Sequence, residues 1–335
     1  MKRSDLTILA CPHCHSDLTV SDSHEIAGHI ETATLSCQAC ARSYQVVNSI
    51  PRFVPSANYA TNFGFQWNTF SKTQLDSNTG APISRERFFR STGWTPEEMS
   101  GKWVLDVGCG AGRFAEIALS AGAHVVALDY SSAVDACFTN LGHNVNLSVI
   151  QADVYALPFK PELFDFVYCL GVLQHTPDPR AAVHALSKQL KVAGQITVDV
   201  YPSLWLNLLW PKYWLRPLAK RLDPQRLLTI VKCLTPGLLS LSRLVSRIPL
   251  VGGKLRWFVP VVNHEPNFPQ LSAEQIRQWA VLDTFDMFSP AYDKPQTTKM
   301  MSTWLLETGL EDVRVFRWRQ NIGRARRLNT VSGKN

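Results

Sequence analysis

From Lys102 to Tyr201 the chain alternates short apolar runs with stretches whose apolar residues recur at helical spacing. Runs begin at Val104 (VLDV), His124 (HVVALD), Val149 (VIQAD), Phe164 (FDFVYC) and Gly194 (GQITVDVY), each of a length that suits a buried strand. Behind the first run, Phe114, Ile117, Ala118 and Ala121 share one helix face, and Gly122 stands where a left-handed cap ends it. Strand and helix in alternation predict an α/β fold. Residues 56–100 show no such period and mix aromatic with polar groups, so they read as a cap. Trp205, Leu208, Leu209, Trp210, Trp214, Leu218 and Leu222 return at near-helical spacing, interrupted by prolines. Thr297 to Leu310 reads as a helix, and VRVFRWRQ and GRARRLNT as the last, antiparallel strands.

Between the first strand and its helix lies VLDVGCGAGRF, Val104 to Phe114. Gly108, Gly110 and Gly112 let the backbone turn tightly, press against a ligand and aim the free amides of the helix start at an anion. That geometry suits a nucleoside-bearing cofactor. The dinucleotide pattern GxGxxG needs glycine or alanine at position 113, where Arg113 would crowd a pyrophosphate. The second strand ends in Asp129, 21 positions after Gly108, where an acid can hold ribose hydroxyls.

DVGCGAG (Asp106 to Gly112), followed in order by HVVALD, VIQAD, ALPF, Phe164 to Pro179 and GQITVDVY, resembles the motif series of the class I S-adenosylmethionine (SAM) dependent methyltransferases. The resemblance implies a doubly wound, Rossmann-like sheet that binds SAM. It implies a site of Asp106, Gly108, Cys109, Gly110 and Gly112 on the loop and Asp129 with Tyr130 at the ribose. Asp153 and the backbone of Val154 would read the adenine, and Leu170 to Val172 would lie beside the sulfonium. Gly171 to His175, GVLQH, is similar to the family's GVLHH stretch, with Gln174 replacing the first histidine. His175 is then either a general base or a buried histidine that orients the loop. Alignment and desolvation can supply much of the rate of a methyl transfer without a base.

The length of 335 residues allows about two domains with a sizeable core. The start, MKRSDLTILACPHC, has no cleavage pattern, and no uncharged apolar run reaches the ~18 residues of a membrane span, so a cytoplasmic protein is expected. Eight cysteines in that compartment stay reduced, and their spacing speaks for metal. Cys11-Pro-His-Cys14 and Cys37-Gln-Ala-Cys40 are two CxxC pairs 22 residues apart, the pattern of a closed tetrahedral site for structural Zn2+. With the tail YQVVNSIPRFVP this segment resembles the small zinc-ribbon domains that accompany several methyltransferases, and such a ribbon depends on its metal to fold. Cys109, Cys137, Cys169 and Cys233 are single and read as packing. The expected organisation is a zinc ribbon at 1–55, a cap over the cofactor at 56–100, the SAM-binding core at 101–201, an inserted helical lid on the acceptor side at 202–296, and the C-terminal helix and last strands at 297–335.

In the cap, FGFQW resembles the element that covers the methionyl end of the cofactor in zinc-ribbon members. Gln66, Arg85 and Arg87 are candidates to meet its carboxylate, and Phe63, Phe65, Trp67 and Phe70 are expected to dock the cap on the core. Residues 201–260 hold ten Lys or Arg against one acid, Asp223, a net +9 in a chain of net +7. A packed lid with a solvated face, a membrane-surface element and a nucleic-acid patch all fit that composition. TFDMFSPAYD, Thr284 to Asp293, puts Tyr292 and two acids beside a turn and resembles a loop that closes over the active site, which makes Tyr292 a candidate for the acceptor pocket. The function so implied is methyl transfer to a small-molecule or lipid-linked acceptor, glycan-like or quinone-like, with peripheral contact at the inner membrane surface through 201–260. Two other readings stand beside it. One is a ribosomal RNA or tRNA base methyltransferase, since certain ribosomal RNA guanine methyltransferases carry such a ribbon. The other is a non-catalytic scaffold that binds SAM.

Overall fold

The structure is a computed structural model and describes residues 1–26, 28–55, 57–203 and 209–328. Trp205 and Leu208 of the apolar series, and Asn329 and Thr330 of the last strand motif, lie outside the described residues. The chain opens with four antiparallel strands, β1 (Leu18–Ile26), β2 (His29–Cys37), β3 (Ser43–Val47) and β4 (Ile50–Arg52). The cap follows as α1 (Thr61–Thr69), α2 (Asp76–Thr79), α3 (Ile83–Thr92) and α4 (Pro96–Met99). Its lack of an apolar period has a simple cause, since α1 buries Gly64 and Gln66 rather than a stripe of large side chains.

The core alternates as the apolar runs predict: β5 (Trp103–Val107), α5 (Ala115–Ser120), β6 (His124–Asp129), α6 (Ala133–Leu141), β7 (Leu147–Gln151), β8 (Phe164–Cys169), α7 (Pro179–Ser187) and β9 (Leu190–Val200). The inserted segment supplies α8 (Pro211–Ala219), α9 (Pro224–Ser246), α10 (Gly252–Leu255) and α11 (Ala273–Phe288), and the chain closes on α12 (Thr298–Glu307), β10 (Glu311–Trp318) and β11 (Gln320–Arg326). Strands β5 to β9 are parallel neighbours in the order β7-β6-β5-β8-β9, and β11 joins β9 antiparallel with β10 outside it. Alternate residues of β5 serve two cores, Leu105 and Val107 on one face and Val104 on the other, as the two-residue period of a strand requires. The order reverses beside β5, so the strand ends there form the crevice where doubly wound sheets bind ligands.

The N-terminal domain joins the core sheet: β4 lies parallel to β7 with Arg52 beside Gln151, which makes one sheet of eleven strands. Leu9, Ile30 and Leu35 share a core with Leu128, Ile150 and Phe159. A segment of about 55 residues buries little apolar surface alone, and this one borrows the neighbouring core. Against the sequence reading of a closing loop from Thr284, residues Thr284 to Phe288 form the last turn of α11. Asp223, the sole acid of 201–260, caps α9 by accepting from the amides of Gln225 and Arg226, with Pro224 at the first helical position. Helix α9 is long and apolar enough to cross a membrane by length and composition, although no wholly uncharged run is.

Candidate cofactor and acceptor site

A cavity of about 900 Å³ opens at the strand ends around the glycine loop. Gly108, Cys109 and Gly110 form its floor, and Leu128, Asp129, Tyr130, Ala152 and Val154 line one side. Gly108 has φ +80°, and a Cβ there would stand 2.2 Å from a Val172 methyl, so only glycine lets the loop meet Val172. The Asp129 carboxylate accepts from the Gly110 amide at 3.0 Å and from the amide and hydroxyl of Ser131 at 2.8 and 2.7 Å. A carboxylate accepts about four hydrogen bonds, so Asp129 holds the loop and keeps capacity for one further donor. Tyr59 of the cap stacks on Tyr130 at 4.8 Å.

The cap takes a larger share in the cavity than docking requires. Phe63, Gln66 and Trp67 all lie on its wall, with the Trp67 ring against Gly110, whereas Phe65 packs on Phe285 as a docking residue should. Gln66 is fully buried and places Nε2 3.5 Å from Asp286, while its Oε1 has no partner among the described residues. Arg87 lines the cavity and donates to Asp199 at 3.1 Å. Asp199 also accepts from the Gly171 amide, and its burial raises the carboxyl while Arg87 opposes the rise.

Several expected site residues stand off the wall. Arg85 is exposed and lies over Phe89, because α3 turns its neighbour Arg87 inward instead. Gly112 faces α6, where a Cβ would sit 2.6 Å from Leu141, so its role is helix packing. Asp106 is buried beneath the loop, and burial pushes its carboxyl up to about 8. Asp153 accepts from the Tyr155 amide at 3.0 Å, while its neighbours Ala152 and Val154 line the cavity. Cys109 is on the wall, but contact with Cys137 and burial raise its thiol far above the usual range, which suits packing and not attack.

At the far end, His175 is buried between Phe63 and Tyr201, with ring centroids 5.0 and 5.5 Å away. Its Nδ1 lies 3.0 Å from the Tyr292 carbonyl and therefore carries the proton of that bond, while Nε2 is buried without a partner among the described residues. Tyr292 thus acts through its backbone, and its ring meets Tyr59 edge-on instead of lining the cavity. Arg216 donates to the carbonyls of Pro290 and Tyr292, both at 2.8 Å, and pairs with Asp293 at 2.6 Å, so α8 clamps the segment that holds the imidazole. Asp286, from the last turn of α11, lies within 3.5 Å of the Tyr201 hydroxyl; burial raises its carboxyl, and the neighbouring His175 lowers it.

In the N-terminal domain the sulfurs of Cys11, Cys14, Cys37 and Cys40 all lie within 4.8 Å of one another. Cys11 to Cys40 is 3.6 Å and Cys14 to Cys37 is 3.4 Å. Four thiolates about 2.3 Å from one tetrahedral ion stand about 3.8 Å apart, so the cluster has the dimensions of a metal site.

Residues 105–198 match the family model described as "Methyltransferase domain", and residues 4–49 match "Trm112p-like protein". The chain joins a Trm112-like domain with a four-cysteine cluster to a class I SAM-methyltransferase domain. Its relatives include the ubiquinone biosynthesis O-methyltransferases of Azotobacter vinelandii and of Pseudomonas fluorescens, 37% and 36% identical over 121 residues, which are 34% of this chain and 52% of each of those. The chain therefore spans about half the length of the curated relatives it matches. Among solved structures, a SAM-dependent methyltransferase from Methanosarcina mazei aligns at 16% identity and a TM-score of 0.39, covering 68% of this chain and 93% of that one.

Sequence reasoning about the methyltransferase domain noted Arg113 only as an obstacle to a pyrophosphate. The structure brings its guanidinium onto the cavity wall, where it donates to Ser84 and Gln74 at 2.8 and 2.7 Å. A cation in the first turn behind a ligand-binding loop is the signal that could have found it. Asp286 and Tyr201 gave a weaker signal: an acid inside an apolar helix end, and a tyrosine that closes an apolar strand.

Proposed function

We propose that this protein transfers a methyl group from SAM to a hydroxyl, or a nucleophile of similar acidity, on a small amphipathic acceptor that is quinone-like or lipid-linked. One observation carries the reading: a cavity joins the glycine loop to a buried histidine nitrogen that has no partner among the described residues. With Nδ1 committed to the Tyr292 carbonyl, Nε2 keeps its lone pair and can take the proton of an acceptor hydroxyl. SAM supplies the methyl on a sulfonium, whose charge is neutralised as the bond forms. Phe63, Leu170 and Val172 keep that end apolar and exclude water where the sulfonium would lose its charge. Asp129 is the candidate for a ribose hydroxyl, Val154 with Tyr130 for the adenine side, and Arg87 with Arg113 for the methionyl carboxylate. The names of the curated relatives support a quinone-like acceptor, and the overlap with them is about the size of the methyltransferase domain. For the N-terminal domain we propose Zn2+ held by the four cysteines in a closed, structural site.

Titration with S-adenosylhomocysteine and transfer of labelled methyl from SAM to catechol-like and prenylated phenols test this. His175→Gln is expected to slow transfer by about 100-fold or more, while S-adenosylhomocysteine affinity changes by less than about threefold. Tight binding of NAD in place of S-adenosylhomocysteine, or methylation confined to ribosomal RNA or tRNA, would sink the reading.

A further inference from the structure

The inserted segment carries a second apolar face that the fold leaves uncovered. Helix α9 buries Leu227, Leu228, Val231, Thr235, Leu239 and Ser242 on one side. On the opposite side Ile230, Leu234, Leu241 and Leu244 recur at helical spacing and stay exposed, Leu244 by 64%. The stretch beyond adds Ile248, Leu250, Val251, Leu255, Trp257 and Phe258, and α8 adds Leu215 and Leu218. Among the described residues, 15 of the 21 large apolar side chains left exposed lie between Leu209 and Phe258. Single exposed leucines are ordinary on a soluble surface, but this concentration is not.

The same segment is basic. Its one acid, Asp223, is spent as the cap of α9. Lys212 and Arg216 pair with Asp293 and Arg243 with Glu265, whereas Lys220, Arg221, Arg226, Lys232, Arg247 and Lys254 are exposed and pair with no carboxylate among the described residues. The cavity reaches the surface inside this patch. Trp210 stacks on Trp257 at 5.7 Å and 13°, both lie on the cavity wall beside Arg256, and Trp257 is 57% exposed.

We propose that this face docks on an anionic lipid bilayer, and that the gap at Trp210 and Trp257 is the mouth through which an acceptor held in the bilayer reaches His175. The second half rests on the function proposed above; the docking stands without it. Apolar side chains enter the interface while the unpaired cations meet anionic headgroups, a division of labour that suits a helix lying in the membrane plane. Helix α9 lies on the bilayer and does not cross it, because α11 holds it through Val231 and Phe285 at one end and Val259 and Val261 hold Leu239 at the other. A second copy of the chain fits less well, since each copy would present the same unpaired cations to the other. A nucleic acid would match the cations and leave the leucines uncovered.

The test is flotation of the full chain with vesicles of phosphatidylglycerol and phosphatidylcholine, with phosphatidylcholine vesicles as reference. Association with the anionic vesicles that weakens in high salt is expected. Lys232→Ser, Arg247→Ser and Lys254→Ser should each lower the partition coefficient by about fivefold. Leu241→Asp combined with Leu244→Asp should abolish flotation, while Leu306→Asp, exposed on α12, should leave it unchanged. S-adenosylhomocysteine titration of each variant reports on folding and on the cofactor site separately. Flotation without cofactor binding would overturn the proposed function and leave the docking face standing. Methyl transfer to a soluble acceptor without flotation would do the reverse. Flotation that survives the paired aspartates, or a concentration-dependent dimer that they dissolve, would overturn the docking face.

Discussion

Replacing Arg113 by methionine separates cofactor recognition from stability. The guanidinium is held between the rings of Phe114 and Trp279, 5.1 and 5.4 Å from their centres, and its hydrogen-bond partners Ser84 and Gln74 are neutral. Burial pushes its pKa down to about 9 and Arg87 adds to that, against the opposing fields of Asp283 and Asp76. A cation so placed costs the empty protein stability and is repaid by an anion that enters the cavity. Methionine keeps the length and the contact with the rings and removes the charge. A charge-assisted hydrogen bond contributes about 1.5–3 kcal/mol, so Arg113→Met should weaken S-adenosylhomocysteine by about 10- to 150-fold. The ligand-free variant should melt within about 3 °C of the parent, because relief of a half-buried charge that bonds only to neutral acceptors offsets the two lost hydrogen bonds. Calorimetric titration with S-adenosylhomocysteine and with methylthioadenosine, which lacks the amino-acid end, gives the decisive contrast. Only the first should weaken. An equal loss for both ligands would mean that Arg113 merely shapes the loop, and unchanged affinity for both would remove it from the site.

Gly108→Ala drives a methyl into Val172 at a positive φ, so it should abolish S-adenosylhomocysteine binding by calorimetry while the metal content stays at one equivalent; retained binding would refute the role given to the loop. Asp106 has its carboxyl raised from 3.8 to about 8, so the stability it contributes is complete below pH 3.8 and is lost as the pH rises towards 8. Asp106→Asn stays neutral, and thermal melts between about pH 5.5 and pH 8 should show it gaining on the parent by up to about 1.4 kcal/mol per pH unit, with parallel curves as the refuting result. Cys37→Ser should lower zinc from one equivalent to none by metal analysis and weaken S-adenosylhomocysteine several-fold; a full complement of zinc in the variant would move the metal elsewhere.

The core was legible because it obeys local rules. A continuous apolar run reads as a strand buried on both faces, and β6 runs from His124 to Asp129 as the sequence predicts. Two CxxC pairs likewise announce the cluster of four sulfurs, because each knuckle is formed within four residues. The cavity wall obeys no such rule. Trp67, Gln74, Arg87, His175, Asp286 and Arg319 come from elements far apart in the sequence, and only packing decides that Arg87 turns in while Arg85 turns out. The role of Tyr292 was hidden for a related reason: its carbonyl performs it, and a backbone atom leaves no mark on the choice of side chain.

The seat of the small domain shows why the metal and the cofactor site are not independent. Arg52, in β4, donates to the Gln151 side chain at 2.9 Å and pairs with Asp135 of α6. Gln151 in turn donates to the carbonyl of Tyr130 at 3.2 Å, and Tyr130 follows Asp129 on the cavity wall. Two side chains, Arg52 and Gln151, therefore link the sheet that carries the cysteines to the backbone beside Asp129. Without metal the knuckles lose their common anchor, β2 and β3 lose their ends, and β4 loses the neighbour that seats it on β7. Arg52 then has no fixed position, and Gln151 and Tyr130 lose the bond that sets their register. A metal ion held by the four cysteines would influence cofactor affinity by this route, through the position of Tyr130 and without touching the substrate.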